Sequence, residues 1–213
     1  VFPDPTSPAS LRGRRAFFLR AADRAGYLPE VARTYHHGDL RAALITAGLG
    51  LIEEQGADDL SLRELARRVG VSATAVYRHF PDKAALMAAL AREALERLAA
   101  AQRAASERAG GGAAGFGATG AAYVRFARDN PGLFRLVFAH PASQGMDEKE
   151  DDAMAMLRAA AVALAPEGTD PTAFALRAWS LAHGLAMLML DGQVEVDDAM
   201  IDRVIDVGGW VSR

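Results

Sequence analysis

From residue 38 onward, apolar positions recur at helical spacing. Leu40, Leu44, Ala47, Leu51 and Ile52 follow the i, i+4, i+7 rule, Asp39 suits the first turn, and Gly56 stops the run. In DDLSLRELARRVG, Ser61 with Glu64 three residues on forms a capping box, so a helix starts at Ser61 and buries Leu62, Leu65, Ala66 and Val69 before Gly70 ends it. Ser72 offers the next N-cap, for a helix of about two turns to Phe80. Pro81 disfavours helix at Phe80 and suits an early position of the following helix. That helix runs from Ala84 to about Arg108 on Leu86, Leu90, Ala94, Leu95 and Leu98. AGGGAAGFG (109–117) reads as a flexible joint. Further helices are predicted over 118–129, over 130–138 (Asn130 as cap, Pro131 at the first position), over 150–164 after the acidic loop MDEKEDD, over 170–190 and over 196–211. There is no hairpin signal and no fixed-period repeat, so the pattern predicts an all-α chain.

Composition supports this without adding chemistry. Just over half of the 213 residues are hydrophobic, and alanine, leucine and arginine dominate, which favours helix and excludes a disordered chain. Cysteine is absent, so there is no disulfide framework, thiolate metal site or thiol nucleophile, which fits a cytoplasmic protein. The apolar run AWSLAHGLAMLML (178–190) falls short of the roughly 20 residues a membrane span needs, so no membrane partner is expected. Residues 1–34 read as an N-terminal arm, with three prolines in the first ten residues and a short helix possible over 9–25. RRAFFL (14–19) has a twin-arginine look, but Arg20, Asp23 and Arg24 follow at once and break the apolar region an export signal needs.

Charge is uneven. Residues 1–83 hold 12 Lys+Arg against 10 Asp+Glu, and residues 84–213 hold 12 against 17. The basic side chains that matter for a polyanion lie near GVSATAVYRHFPDKAALM (70–87). Two short helices joined by a tight glycine turn, at 61–69 and 72–80, are the layout of a helix-turn-helix. Leu65, Ala66, Val69, Val71 and Val76 would lock the two helices together, leaving Ala73, Thr74, Tyr77 and Arg78 outward. Small Ala73 and Thr74 permit close approach to a groove floor. Tyr77 and His79 can donate to phosphate oxygens, and Lys83 adds a point charge.

SLRELARRVGVSATAVYRHFPDKAALMAAL resembles the DNA-binding domain of the TetR/AcrR family of transcriptional repressors, with Tyr77, His79, Phe80 and Lys83 where that family closes its recognition helix. YHHGDLRAALITAGLGLIEEQG is similar to the family's first helix, so the close resemblance covers about 35–90. AWSLAHGL carries W-x-x-x-H-G at Trp179, His183 and Gly184, similar to the ligand-binding half of one subfamily, the WHG type. The resemblance implies a helix-turn-helix domain over 35–83 and a helical ligand-binding and dimerisation domain over 84–213. It implies a cytoplasmic homodimer that represses from a palindromic double-stranded DNA operator until a small apolar effector releases it. Carried over by position, Ser61 and Arg63 match places that touch phosphate or a guanine at the groove edge. Thr74 and Tyr77 match recognition-helix contacts, and His79 and Lys83 match phosphate contacts. Arg78 occupies a variable, base-reading position. With Ser72 at the start of the recognition helix, the DNA-contacting set is Ser61, Arg63, Ser72, Thr74, Tyr77, Arg78, His79 and Lys83. Tyr123, Phe126, Phe134, Phe138, Met154, Trp179, His183 and Met187 are the large side chains available to line an effector pocket, or simply to pack a core. Gly184 would permit close helix approach, and the last two helices, 170–190 and 196–211, would form the dimer interface.

Two other readings stay open. One keeps the DNA-binding domain but has no effector, giving a constitutive or architectural DNA-binding protein. The other is a hydrolase using His36, His37 and Asp39, but adjacent histidines at a helix start do not share one face, so no preformed metal site is expected. No nucleophile-elbow, Walker or dinucleotide-binding pattern is present, and neither cofactor nor catalytic residue is expected.

Overall fold

The computed structural model describes residues 40–138 and 152–206. These fall within the unit Gly38–Arg213, one of two into which the chain divides. The N-terminal arm, the His36/His37/Asp39 cluster, residues 146–151 of the acidic loop and the end of the last predicted helix lie outside the described residues. Nine helices follow one another, with no strand among the described residues. They are α1 Leu40–Gln55, α2 Leu62–Val69, α3 Ala73–His79, α4 Lys83–Arg108, α5 Gly112–Asp129, α6 Pro131–Phe138, α7 Asp152–Leu164, α8 Pro171–Leu190 and α9 Asp198–Val204.

Local chemistry sets most boundaries. The Ser61 hydroxyl oxygen accepts the Glu64 N–H at 3.2 Å and opens α2. Gly70, in the left-handed region at φ 77°, closes α2 by donating its N–H to Ala66 O. The Ser72 hydroxyl accepts the Ala75 N–H at 3.2 Å and opens α3. Phe80 is extended, at φ −135°, as a residue before proline must be. The Asp82 carboxylate accepts the Ala85 N–H at 2.7 Å, so Pro81 stands before the N-cap of α4 rather than inside its first turn. Asp170 caps α8 with Pro171 at the first position, and Asp197 caps α9.

Four expectations need correction. First, the glycine-rich stretch is only half a joint. Gly110, Gly111 and Gly112 carry φ of 82°, 71° and 57° and reverse the chain, and α5 then starts at Gly112 rather than at 118. Tertiary packing overrides glycine's poor helix propensity here. Phe116 is buried and stacks on Phe174 with centroids 5.5 Å apart, and a Cβ at Gly115 would lie 2.6 Å from Ser106 Oγ. Second, the Asn130 side chain does not cap α6. Its amide donates to Phe126 O at 3.2 Å, while the Gly132 and Leu133 N–H groups donate to Glu53 of α1 at 3.2 and 2.8 Å. Third, among the described residues the last helix, α9, covers only Asp198–Val204; Ile201 and Ile205 are buried, and Arg125 of α5 holds Asp198 and Asp202 at 2.8 and 2.7 Å. Fourth, a Cβ at Gly184 would meet nothing within 4 Å, so no helix among the described residues approaches there.

One apolar cluster runs through α1 to α6, α8 and α9, centred on Leu44, Leu86, Leu90, Val124, Phe134 and Ala186. A smaller one, Phe116, Ala161, Phe174 and Ala175, lies between α5, α7 and the start of α8. α8, with 20 residues, is long and apolar enough to cross a bilayer by length and composition, a longer element than the apolar run 178–190 alone. Phe174, Ala175, Ala182, Leu185 and Ala186 of α8 are packed inward. Among the described residues, Val162 of α7, Leu176 and Leu188 of α8 and Met200 of α9 are large apolar side chains left exposed.

Candidate functional site

α2 and α3 are locked by the residues whose spacing suits that task. Leu65 and Val76 are fully buried, Ala66 nearly so, and Val69 and Val71 pack against them. Phe80 is buried at the end of α3, with the Arg41 guanidinium of α1 5.4 Å from its ring centroid. Once Val76 and Phe80 point inward, helical geometry turns Thr74, Tyr77 and Arg78 outward at i, i+3 and i+4. All three are exposed, with His79 beside them, and Ala73 is half-buried. Tyr77 leaves 49% of its surface in water.

The other predicted DNA contacts flank this surface. Ser61 and Ser72 are exposed at the N-termini of α2 and α3. Each hydroxyl oxygen accepts a backbone N–H, which leaves its own O–H able to donate to a phosphate. Arg63 and Arg78 are exposed and make no ion pair among the described residues. Lys83 is exposed but already engaged, since its Nζ donates to Asp58 O in the α1–α2 turn at 2.8 Å. An ammonium has three donors, so this bond holds the side chain over the turn without exhausting it. Arg68 is clamped by both Glu54 oxygens, one bond being 2.9 Å, and this holds the Glu54 carboxyl below its ordinary pKa. Arg67 lies 3.7 Å from Glu64 and is mostly in water.

In the C-terminal half, five of the eight predicted pocket residues come together. Tyr123, Phe134, Phe138, Trp179 and His183 form one aromatic cluster with centroids 4.7 to 6.2 Å apart. Tyr123 Oη and His183 Nδ1 are hydrogen-bonded at 2.8 Å, and burial pushes the His183 pKa down. Phe126 is buried and Met187 packs at the edge of the same core, while Met154 is half-buried on α7. The rings pack against one another. An open cavity of about 680 Å³ lies elsewhere, lined by Ala105, Ala118 and Ala121 with Arg108, Arg203 and Asp206. None of the eight predicted residues lines it. Gln102 donates to Thr119 O at 3.3 Å, and its buried Oε1 has no hydrogen-bond partner among the described residues.

Sequence reading missed Glu53, Arg41 and the Lys83–Asp58 bond. Arg41 left a weak trace, a cation near the start of a helix whose neighbour ends in an aromatic residue. Glu53 left none, because its partners stand about 80 positions away.

Two short helices across a left-handed glycine, the second exposed along one face, joined to a larger helical half, define a helix-turn-helix DNA-binding regulator. Comparison with known proteins agrees. Residues 44–90 match the model of bacterial regulatory proteins of the tetR family, and residues 116–208 match the tetracyclin repressor-like C-terminal domain. The chain belongs to the TetR family of transcriptional regulators, which are not enzymes. It is 48% identical over 52 residues to the tetracycline repressor protein class A from transposon 1721 of Escherichia coli, a match covering 24% of each chain. The chain therefore spans about a quarter of the length of that curated relative. A solved protein of unknown function from Rhodococcus sp. RHA1 is 33% identical, with a TM-score of 0.72, 85% of this chain and all of that one being covered. A tetR-family transcriptional regulator from Streptomyces coelicolor shares the fold at 22% identity, with a TM-score of 0.61 and 78% of each chain covered.

Proposed function

We propose that this chain is a transcriptional repressor that grips a palindromic DNA operator as a homodimer, and that its C-terminal half senses a small apolar effector. The observation that carries the DNA reading is the face of α3. Thr74, Tyr77, Arg78 and His79 stand in water while their neighbours Val76 and Phe80 are fully packed. A helix of that width fits the major groove, with Thr74 and Arg78 toward base edges. Ser61, Arg63, Ser72, Tyr77, His79 and Lys83 would hold the backbone on either side. A chromosomal operator places this work in the cytoplasm.

The dimer reading rests on α7 and α8. Val162, Leu176 and Leu188 are exposed there, and Gly184 has open space above it on α8. Pairing α7 and α8 with the same helices of a second copy buries this face in an isologous contact, as a palindromic site requires.

The effector reading rests on the hydrogen-bonded His183–Tyr123 pair set among aromatic rings, which gives a largely apolar core an orienting polar group. The close approach of Phe134 and Phe138, 4.7 Å between centroids, favours the alternative of a constitutive DNA-binding protein, so both readings go to the same test. Duplexes selected from a random library on the full chain supply the operator, and a panel of small apolar compounds is then screened for release. Release by a compound that also quenches Trp179 fluorescence supports the sensor. Selective DNA binding that no compound relieves supports the constitutive protein. A chain that selects no sequence contradicts both.

A further inference from the structure

Three consecutive residues at the end of α1, Glu53-Glu54-Gln55, each reach a different part of the fold. The Glu53 carboxylate accepts the Gly132 and Leu133 N–H groups, the free donors of the first turn of α6, at 3.2 and 2.8 Å. Glu54 clamps Arg68 in the last turn of α2. The Gln55 amide donates to Glu64 in the first turn of α2 at 3.0 Å. Glu54 and Gln55 therefore bracket α2 at both ends, and Glu53 ties that bracket to the C-terminal half. The contact is close by construction, because a Cβ at residue 132 would lie 2.8 Å from the Ile52 carbonyl oxygen, a backbone atom that cannot step aside. α6 in turn carries Phe134 and Phe138 of the aromatic cluster.

We propose that Glu53 is a positioning residue for the DNA interface, joining α6 to the α1–α2 frame and so to α3. The proposal rests on the reading of α3 as the DNA-contacting helix. It supplies a path from the aromatic cluster to that helix separate from the covalent one through Pro81 into α4. A rearrangement of Phe134 or Phe138 shifts the first turn of α6. Glu53 follows its two N–H donors, and Glu54 and Gln55, one turn of rigid helix away, carry α2 with them. Coupling of this kind is reciprocal, so holding α2 on DNA must also quieten α6.

Amide hydrogen exchange on the full chain tests this in two arms. Without DNA, Glu53→Ala should speed exchange at Gly132 and Leu133 by about tenfold or more, the loss expected for bonds to a charged acceptor. The same variant should also speed exchange at the α2 amides Leu65 to Val69, which it does not touch. Glu53→Gln, which keeps one acceptor, should restore part of both effects and guards against a variant that fails to fold. Faster exchange confined to residues 132 and 133 would make Glu53 a local cap and overturn the proposal. With a selected duplex bound, the wild type should gain protection at residues 132 and 133, and Glu53→Ala should bind the duplex without that gain. Equal protection in both proteins, or none in the wild type, overturns it as well. Failure to bind any duplex sinks the DNA reading instead, while the DNA-free arm still decides whether Glu53 couples α6 to α2.

Discussion

Two glycines show how far a single atom decides the outcome. Gly132 faces the Ile52 carbonyl at a distance no Cβ tolerates, whereas Gly50, in mid-α1, would present a Cβ to nothing within 4 Å. Gly132→Ala is expected to lower stability by about 1–3 kcal/mol through overpacking. Gly50→Ala is expected to raise it by about 1 kcal/mol, by removing glycine's helix penalty. Urea denaturation of both variants measures the difference, and equal shifts would contradict the described α1–α6 contact. His183 offers a pH test. Burial lowers its folded pKa, so the unfolded chain binds more protons as the medium becomes acidic. The stability that neutral His183 contributes is complete above the unfolded value near about 6.5 and is lost as pH falls through the folded one. Wild type should therefore lose more thermal stability between about pH 8 and pH 5 than His183→Asn, and parallel pH profiles would contradict a buried neutral imidazole.

Among the helices, what was legible in the sequence was whatever chemistry is local. Ser61, Ser72, Asp170 and Pro171 announce helix starts because the groups they satisfy lie within three residues. The start of α5 was not legible, because glycine's low propensity argues for a loop. Only the burial of Phe116 against Phe174, 58 positions on, makes helix the better state. The cap of α6 was hidden for the same reason, since Asn130 is the obvious local candidate and Glu53 a remote one. The exposed face of α3 was readable because Val76 and Phe80 fix the phase of the helix. The proposed effector region was readable only as a set of large side chains, and five of them pack into one aromatic cluster. For the α7–α8 face, Leu176→Glu with Leu188→Glu should turn a dimer into a monomer in analytical ultracentrifugation while leaving the helical circular dichroism intact. A double variant that sediments as the wild type would move the dimer contact elsewhere.

For the molecule as a whole, the electrostatics are unusual for a DNA-binding chain. Residues 40–83 carry as many acidic as basic side chains, and Arg68 is neutralised by Glu54. On the proposed docking of α3, affinity draws on a few well-placed groups of this segment, Arg63, Arg78 and Lys83 above all, rather than on a broad positive field. If about eight phosphates are neutralised per dimer, log K should fall with log salt at a slope of roughly −7. Lys83→Ala should weaken binding to every duplex and flatten that slope, whereas Tyr77→Ala should cost most on the selected site. The central claim is that α3 reads base edges, and competition binding of the full chain on a selected palindromic duplex against a scrambled one, at physiological salt, tests it most directly. A preference of about a thousandfold or more, collapsing in the Thr74→Ala, Arg78→Ala double variant, is the predicted result. Equal affinity for the two duplexes, or a preference that survives the loss of both side chains, would contradict it.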